Sequence, residues 1–380
     1  MLEVVDLFKD EATVDELGIG TIRDALSDQL FPGTSVLHTR LRYVLFIPWL
    51  LQRATAHSRT PPEMAAEFRR LEYRLIDSLL AGGESAGVFG NRARGDLKRT
   101  PSIAYWSALA SWGIADVPSA DAYFRRTRDL EALRRRSVGN DDPESRAWMP
   151  QTGLDASLPA PPSTLLKSDT FALTPDEEEY LSQRIEGSAR RSMLAWLIQH
   201  PPGNLDDADP WQLDNLGQAP AHLQRLVDHA RRFSITIHGA MIVYNLLLAE
   251  KTGNDELIAR YEGAAVEWHT ELATSHALDD WDRTDWWHTV TRQNPRLRPA
   301  TRIFVDSWIT VLHASDGIAR DPKARDLVAS RERQIKGGRA RLANPAALDQ
   351  WRGSSGMGKL SFRWQIARSH LRDLYAARAA

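Results

Sequence analysis

The sequence LGIGTIRDALSDQLFPGTSVLHTRLRYVLFIPWLLQR (residues 17–53) decides how the chain folds. Apolar residues recur at helical spacing in its first half, the Pro-Gly pair at 32–33 ends that run, and Thr34 or Ser35 can cap a second run. The second run becomes almost wholly apolar in VLFIPWLL (44–51), which indicates a deeply buried helix. The stretch therefore predicts a helix-turn-helix-like N-terminal segment.

Four charged residues accompany this buried helix. Asp24 and Asp28 fall on the first predicted helix, and Arg40 and Arg42 fall on the polar start of the second. Charged side chains next to the hydrophobic core need an oppositely charged or hydrogen-bonding partner, because a buried unpaired charge is unfavourable. We therefore predict structural ion pairing among these four residues, with at least one of the two arginines bound to an acid of the first helix.

An overlapping segment, DELGIGTIRDALSDQLFPGTSVLHTRLRYVLFIPW (15–49), resembles the N-terminal signature of an uncharacterised bacterial family, domain of unknown function 6361. Three later segments are similar to that family too: RTPSIAYWSALASWGI, KGGRARLANPAALDQW and GSSGMGKLSFRWQIARSHLRDL. The resemblance implies no established activity. It implies a setting in bacterial genomic islands, near helicase-like and phage-defence genes. It also implies further residues ahead of Leu2, so we expect a first segment to be missing.

The composition is that of an ordinary soluble globular protein. Of the 380 residues 42% are hydrophobic and 26% are charged, and the formal net charge is -2. This charge gives no global signal for nucleic acid or membrane, so a partner of either kind would need a local patch. The absence of cysteine removes disulfides and thiolate chemistry, and with the acidic N-terminus it favours a cytoplasmic protein.

The fold class that the sequence predicts is all-α and multi-helical. Helical periodicity recurs along the chain, whereas sustained alternation and a βαβ rhythm are missing from the sequence pattern. Residues 138–173 lose that periodicity and are rich in Ser, Asp, Gly and Pro, which indicates a linker or a draped loop. We predict an N-terminal helical domain at 1–137 and a larger C-terminal helical domain at 174–380.

Candidate chemical sites are few and weak. Two loose groups of acids and histidines, at 222–229 and 267–276, and the acidic segment DDWDRTDWWH (279–288) lack the tight ligand spacing of metal motifs. GSSGMGK (353–359) matches GxxxxGK, but Leu360 stands where a phosphate-binding loop has Ser or Thr. We therefore assign no catalytic residue and expect no metal and no cofactor.

The strongest electrostatic feature is a basic terminal module at 331–378. It has eleven basic and three acidic residues, a net charge of +8 in a chain whose total is -2. Aromatic residues at 351, 362 and 364 lie between the cations, so the module could contact a nucleic-acid backbone. The residues that we expect to make this contact are Arg339, Arg341, Lys359, Arg363, Arg368 and Arg372. The alternative is that the module binds an acidic protein surface.

Three function classes stay open. The first is a nucleic-acid-associated accessory protein of a bacterial defence or mobile-element system, with a defence-operon protein as a further partner. The second is a helical scaffold or adaptor that binds a protein partner, a reading that the thirteen tryptophans support. The third is a metal-dependent enzyme built from the acid and histidine groups. We expect no membrane partner, and the sequence favours the first class.

Overall fold

The fold is taken from a computed structural model, which describes residues 15–57, 60–91, 99–137, 153–206 and 208–379. Within these residues the chain forms α-helices and three short 3-10 helices, without a strand, so the all-α prediction is confirmed. The α-helices are α1 (Gly20–Leu30), α2 (Tyr43–Ala54), α3 (Pro61–Ala81), α4 (Pro101–Ser111), α5 (Ala120–Ser137), α6 (Pro175–Ser188), α7 (Met193–Gln199), α8 (Ala221–Thr252), α9 (Asp255–Thr274), α10 (Arg283–Gln293), α11 (Pro299–Ala314), α12 (Pro322–Lys336), α13 (Pro345–Leu348) and α14 (Trp364–Arg378).

The chain divides into two compact units that are each discontinuous in sequence. Unit 1 comprises Met1–Leu30, Asp209–Gln212 and Leu216–Phe362, and unit 2 comprises Phe31–Ala208, Leu213–Asn215 and Arg363–Ala380. These boundaries differ from the predicted division at 138–173. Residues 138–152 lie outside the described residues, and the described part of that segment, 153–173, belongs wholly to unit 2.

Unit 1 is built around α8, which packs against α1, α9, α11 and α12. This helix is long and apolar enough to cross a membrane by length and composition, but 83% of its most apolar window is buried inside the fold. Gly239, near the middle of α8, lets α9 approach closely, because a Cβ there would lie 2.4 Å from the Trp268 ring. Trp268 also donates a hydrogen bond to the Ile235 carbonyl oxygen at 2.7 Å.

Unit 2 is built around α2, which packs against α3 and α4. Every residue from Tyr43 to Leu51 is buried, as the apolar run predicts. The segment 153–173 lies along this unit: its Pro159 carbonyl oxygen accepts a hydrogen bond from the Trp49 indole at 2.7 Å, and its Asp169 carboxylate accepts one from the Ser78 hydroxyl at 2.7 Å. The described part of the predicted linker is therefore a draped loop with buried contacts.

The helix-turn-helix-like arrangement is corrected by the structure. The second helix begins at Tyr43 and not at Thr34 or Ser35, and α1 and α2 belong to different units. The reason is that the polar residues between them hydrogen-bond outside a helix. The Thr34 hydroxyl donates back to the Phe31 carbonyl oxygen, and the backbone N–H of residue 39 donates to the Tyr105 hydroxyl.

Candidate nucleic-acid interface

The predicted ion pairing near α2 exists, but the two arginines have other partners. Arg40 binds Asp373 at 2.8 Å, and Arg42 binds Glu177 at 2.7 Å. The acids of α1 belong to the other unit, where Asp24 pairs with its neighbour in sequence, Arg23. The predicted partners were therefore wrong, because the pairing was expected across a helix-turn-helix that does not form.

The basic module is divided between the two units after Phe362. Its last three predicted contact residues lie in unit 2 and donate hydrogen bonds inside it. Arg363 donates to the Thr34 carbonyl oxygen at 3.0 Å, Arg368 donates to the Asp206 carbonyl oxygen at 2.6 Å, and Arg372 binds the Asp206 carboxylate. The aromatic side chains at 351, 362 and 364, expected to interleave with the cations, are buried.

In unit 1, Lys359 binds Glu271 at 2.6 Å, beside a cavity of about 20 Å³. The glycine segment lines that cavity together with His238, whose pKa is lowered to about 4 by burial and by the nearby Lys359 charge. A cavity of this size holds roughly one water molecule. The GxxxxGK match therefore encloses no space for a nucleotide in this structure.

Arg341 belongs to a buried polar network at the end of α12. Its guanidinium lies 2.7 Å from the Glu16 carboxylate, which also binds Lys336 and the Ser355 hydroxyl. Burial would raise the pKa of Glu16, but the hydrogen bonds from Lys336 and Ser355 hold it below its usual range. Glu332 accepts from Lys336 at 3.0 Å and joins the same network. These cations are used to neutralise buried acids.

Of the six predicted contact residues, only Arg339 is exposed and makes no ion pair with a described residue. A second group of cations was not predicted. Residues 292–302, RQNPRLRPATR, join the end of α10 to the first turn of α11 and contain four arginines and no acid. We call these four the arginine corner: Arg292, Arg296, Arg298 and Arg302. All four are exposed.

The corner has few internal partners. Arg292 donates to the Gln29 side chain at 3.2 Å. Arg302 lies over the Trp287 ring at 5.2 Å and is 3.7 Å from the Asp306 carboxylate. Neither Arg296 nor Arg298 pairs with an acid among the described residues. The sequence signal for this group was present, because four arginines in eleven residues without an acid are visible in the letters.

The acid and histidine groups form no metal centre in the part of the chain that the structure describes. His229 lies 3.0 Å from the Asp285 carboxylate and accepts a hydrogen bond from the Trp281 indole, so its ring is held between two protein groups. Asp282 caps α10 through the backbone N–H groups of residues 284 and 285. At least one acid of this segment therefore has a structural role, as the N-cap of α10.

Comparison with known proteins adds the family. No curated protein and no solved structure matches the chain significantly. One family profile matches residues 2–378, nearly the whole chain, and confirms the resemblance found in the sequence motifs. The chain therefore belongs to the family of unknown function DUF6361.

Proposed function

We propose that the protein associates with nucleic acid, without catalysis, through phosphate contacts made by the arginine corner. The observation that carries this proposal is the set of four exposed arginines within residues 292–302, a segment without an acid. The guanidinium group binds phosphate with paired hydrogen bonds, which makes arginine the side chain best suited to this contact. The proposal moves the interface from the predicted terminal module to unit 1.

The position of the corner supports an anionic partner. α11 begins at Pro299, directly after Arg298, and the N-terminal end of a helix carries a partial positive charge. Arginines at this end are repelled by the helix dipole and by one another, so the arrangement is unfavourable in the free protein. A bound phosphate is attracted both to this helix end and to the arginines, and it therefore offsets the repulsion. The corner is also exposed and not enclosed, which suits a chain of phosphates.

Equilibrium binding to a short fluorescent duplex DNA of arbitrary sequence, followed by anisotropy at low salt, tests the proposal. The wild-type protein should bind, and unrelated sequences should bind about equally, because phosphate contacts carry no base information. The variant with Arg296→Gln and Arg298→Gln should bind more weakly.

A charge-matched control is the variant with Arg339→Gln and Arg352→Gln, which removes two exposed arginines of the predicted terminal module in the same unit. It should bind like the wild type. Equal weakening by both double variants would mean that only net charge matters. Absence of binding by folded wild-type protein would refute the proposal and leave the adaptor hypothesis. The setting in a defence or mobile-element system, which the family resemblance implies, stays a prediction.

A further inference from the structure

Arg331, which the sequence placed among the cations of the terminal module, is buried and 5% exposed. All five of its N–H donors are used. The Nε atom donates to the Leu17 carbonyl oxygen at 2.9 Å, and the Nη2 group donates to the Gly18 carbonyl oxygen at 3.2 Å and to the Thr301 hydroxyl at 2.9 Å. The Nη1 group donates to the Ala300 carbonyl oxygen at 3.2 Å and to the Gln334 side chain at 2.9 Å.

These acceptors belong to three parts of unit 1. Leu17 and Gly18 lie in the turn before α1, Gln334 lies on α12, and residues 300 and 301 form the first turn of α11. The first turn of α11 contains Arg302 of the arginine corner and directly follows Arg298, so one guanidinium joins this end of the corner to two other elements of unit 1. Gly18 is adapted to this contact: its φ is +65°, and a Cβ there would lie 3.0 Å from Arg331 Nη2 and 2.3 Å from Ile335 Cδ1.

The charge of Arg331 has no direct counter-ion. All its hydrogen-bond acceptors are neutral, and no described carboxylate accepts from it. Burial lowers its pKa, and the charge of Arg298 lowers it further, although Asp15 acts in the opposite direction. A buried cation without a paired acid is unfavourable. Its charge lies near that of Arg298, so an anion bound at this end of the corner reduces the unfavourable energy.

We infer that Arg331 is a positioning residue for the phosphate site at the arginine corner: it holds the first turn of α11 in place and does not touch the phosphate. This inference rests on the proposed function. It separates two roles within one cluster of arginines: the corner residues contact the ligand, and Arg331 holds the helix start that bears Arg302 and adjoins Arg298.

The experiment compares Arg331→Met with Arg333→Met, an exposed arginine two residues further along α12, in duplex DNA binding over a range of salt concentrations. Arg331→Met should weaken binding about tenfold, a loss at the low end of those seen when residues that orient metal ligands are removed. The slope of log affinity against log salt should stay at the wild-type value, because no phosphate contact is removed. Arg333→Met should leave affinity unchanged.

Arg331→Lys separates position from charge. Lysine keeps the charge but has three donors and no planar fork, so this variant should bind as weakly as Arg331→Met. Wild-type affinity in Arg331→Lys would show that charge alone matters and would overturn the positioning role. A purely structural role would lower the melting temperature and leave the affinity of the folded fraction unchanged, which would also overturn it.

Thr301→Val keeps the inference testable if the Arg331 variants do not fold. It removes one of the five acceptors while keeping the side-chain shape, and it should weaken binding less than Arg331→Met and again without a change of slope. Unchanged affinity in Thr301→Val would then overturn the inference. If the wild type binds and the corner variants weaken binding while Arg331→Met does not, the inference fails and the proposed function stands. If the wild type does not bind, the proposed function fails.

Discussion

Replacement of Arg42 by methionine should strongly destabilise the protein. The Arg42 and Glu177 side chains are 6% and 5% exposed, and their ion pair is 2.7 Å long. Arg42 also donates to the Thr170 carbonyl oxygen at 2.8 Å, and Glu177 accepts from the backbone N–H of Thr174 in the capping box of α6. Loss of Arg42 therefore leaves a carboxylate buried without its counter-ion.

The magnitude follows from this burial. Removing one partner of a buried ion pair costs about 3–5 kcal/mol of unfolding free energy, because the remaining charge is uncompensated. Urea denaturation followed by tryptophan fluorescence measures the change as a lower midpoint at a constant slope. The double variant with Arg42→Met and Glu177→Gln should recover part of the loss, since neither charge then remains in the core.

An exposed pair supplies the control. Arg70 and Glu67 form an ion pair on α3 in which the arginine side chain is 63% exposed, so Arg70→Met should leave the urea midpoint unchanged. Arg40→Met should lower the urea midpoint by an amount between those of Arg42→Met and Arg70→Met, because the Arg40 side chain is 31% exposed and its partner Asp373 is 7% exposed. If Arg42→Met shifted the midpoint no more than Arg70→Met, the reasoning about buried pairing would be refuted.

Three further predictions concern packing and pH. Gly239→Ala should lower the unfolding free energy by about 1–3 kcal/mol, because the added Cβ would collide with the Trp268 ring. Gly263 has open space around it, so Gly263→Ala should be neutral or stabilising. Thermal melts of both variants check this difference. The pKa of Glu16 is lowered in the folded protein, so the stability that its ionised carboxylate contributes is present above pH 4.5 and is lost as the pH falls further. Glu16→Gln should therefore be less stable than the wild type at neutral pH. In urea titrations this difference in stability should shrink below pH 4.5. Burial lowers the pKa of His38 from 6.5 to about 4, so its contribution is lost as pH falls from 6.5 to 4, and His38→Phe should show a flatter stability profile across that range.

The fold class and the burial of α2 could be predicted because both depend on local patterns. Helical periodicity depends only on residues that are close in sequence. An eight-residue apolar run has no polar face that could lie at the protein surface, so its helix is buried on all sides. The start of α2 could not be predicted, because the Tyr105 hydroxyl that binds the backbone at residues 39 and 40 lies more than sixty residues away in the sequence.

The candidate site shows the same division. Counting cations identified a basic module, but the count does not show which cations meet acids in the folded chain. Arg341 binds Glu16, which is 325 residues away, and Arg372 binds Asp206, which is 166 residues away. The arginine corner is local and could have been found. Its positive charge follows closely on the acidic segment 279–288, so a charge count over a wider window nearly cancels, and the terminal module has the larger net charge.

The salt dependence of DNA binding tests the central claim most directly. Each phosphate contact contributes a slope of about -0.9 to log affinity against log salt for duplex DNA, so a corner that engages three or four phosphates should give roughly -3 to -4. The variant with Arg296→Gln and Arg298→Gln should reduce the steepness by about 2, whereas the variant with Arg368→Gln and Arg372→Gln should keep the wild-type slope. A wild-type slope in the corner variant, together with a flattened slope in the α14 variant, would contradict the account and return the interface to the terminal module.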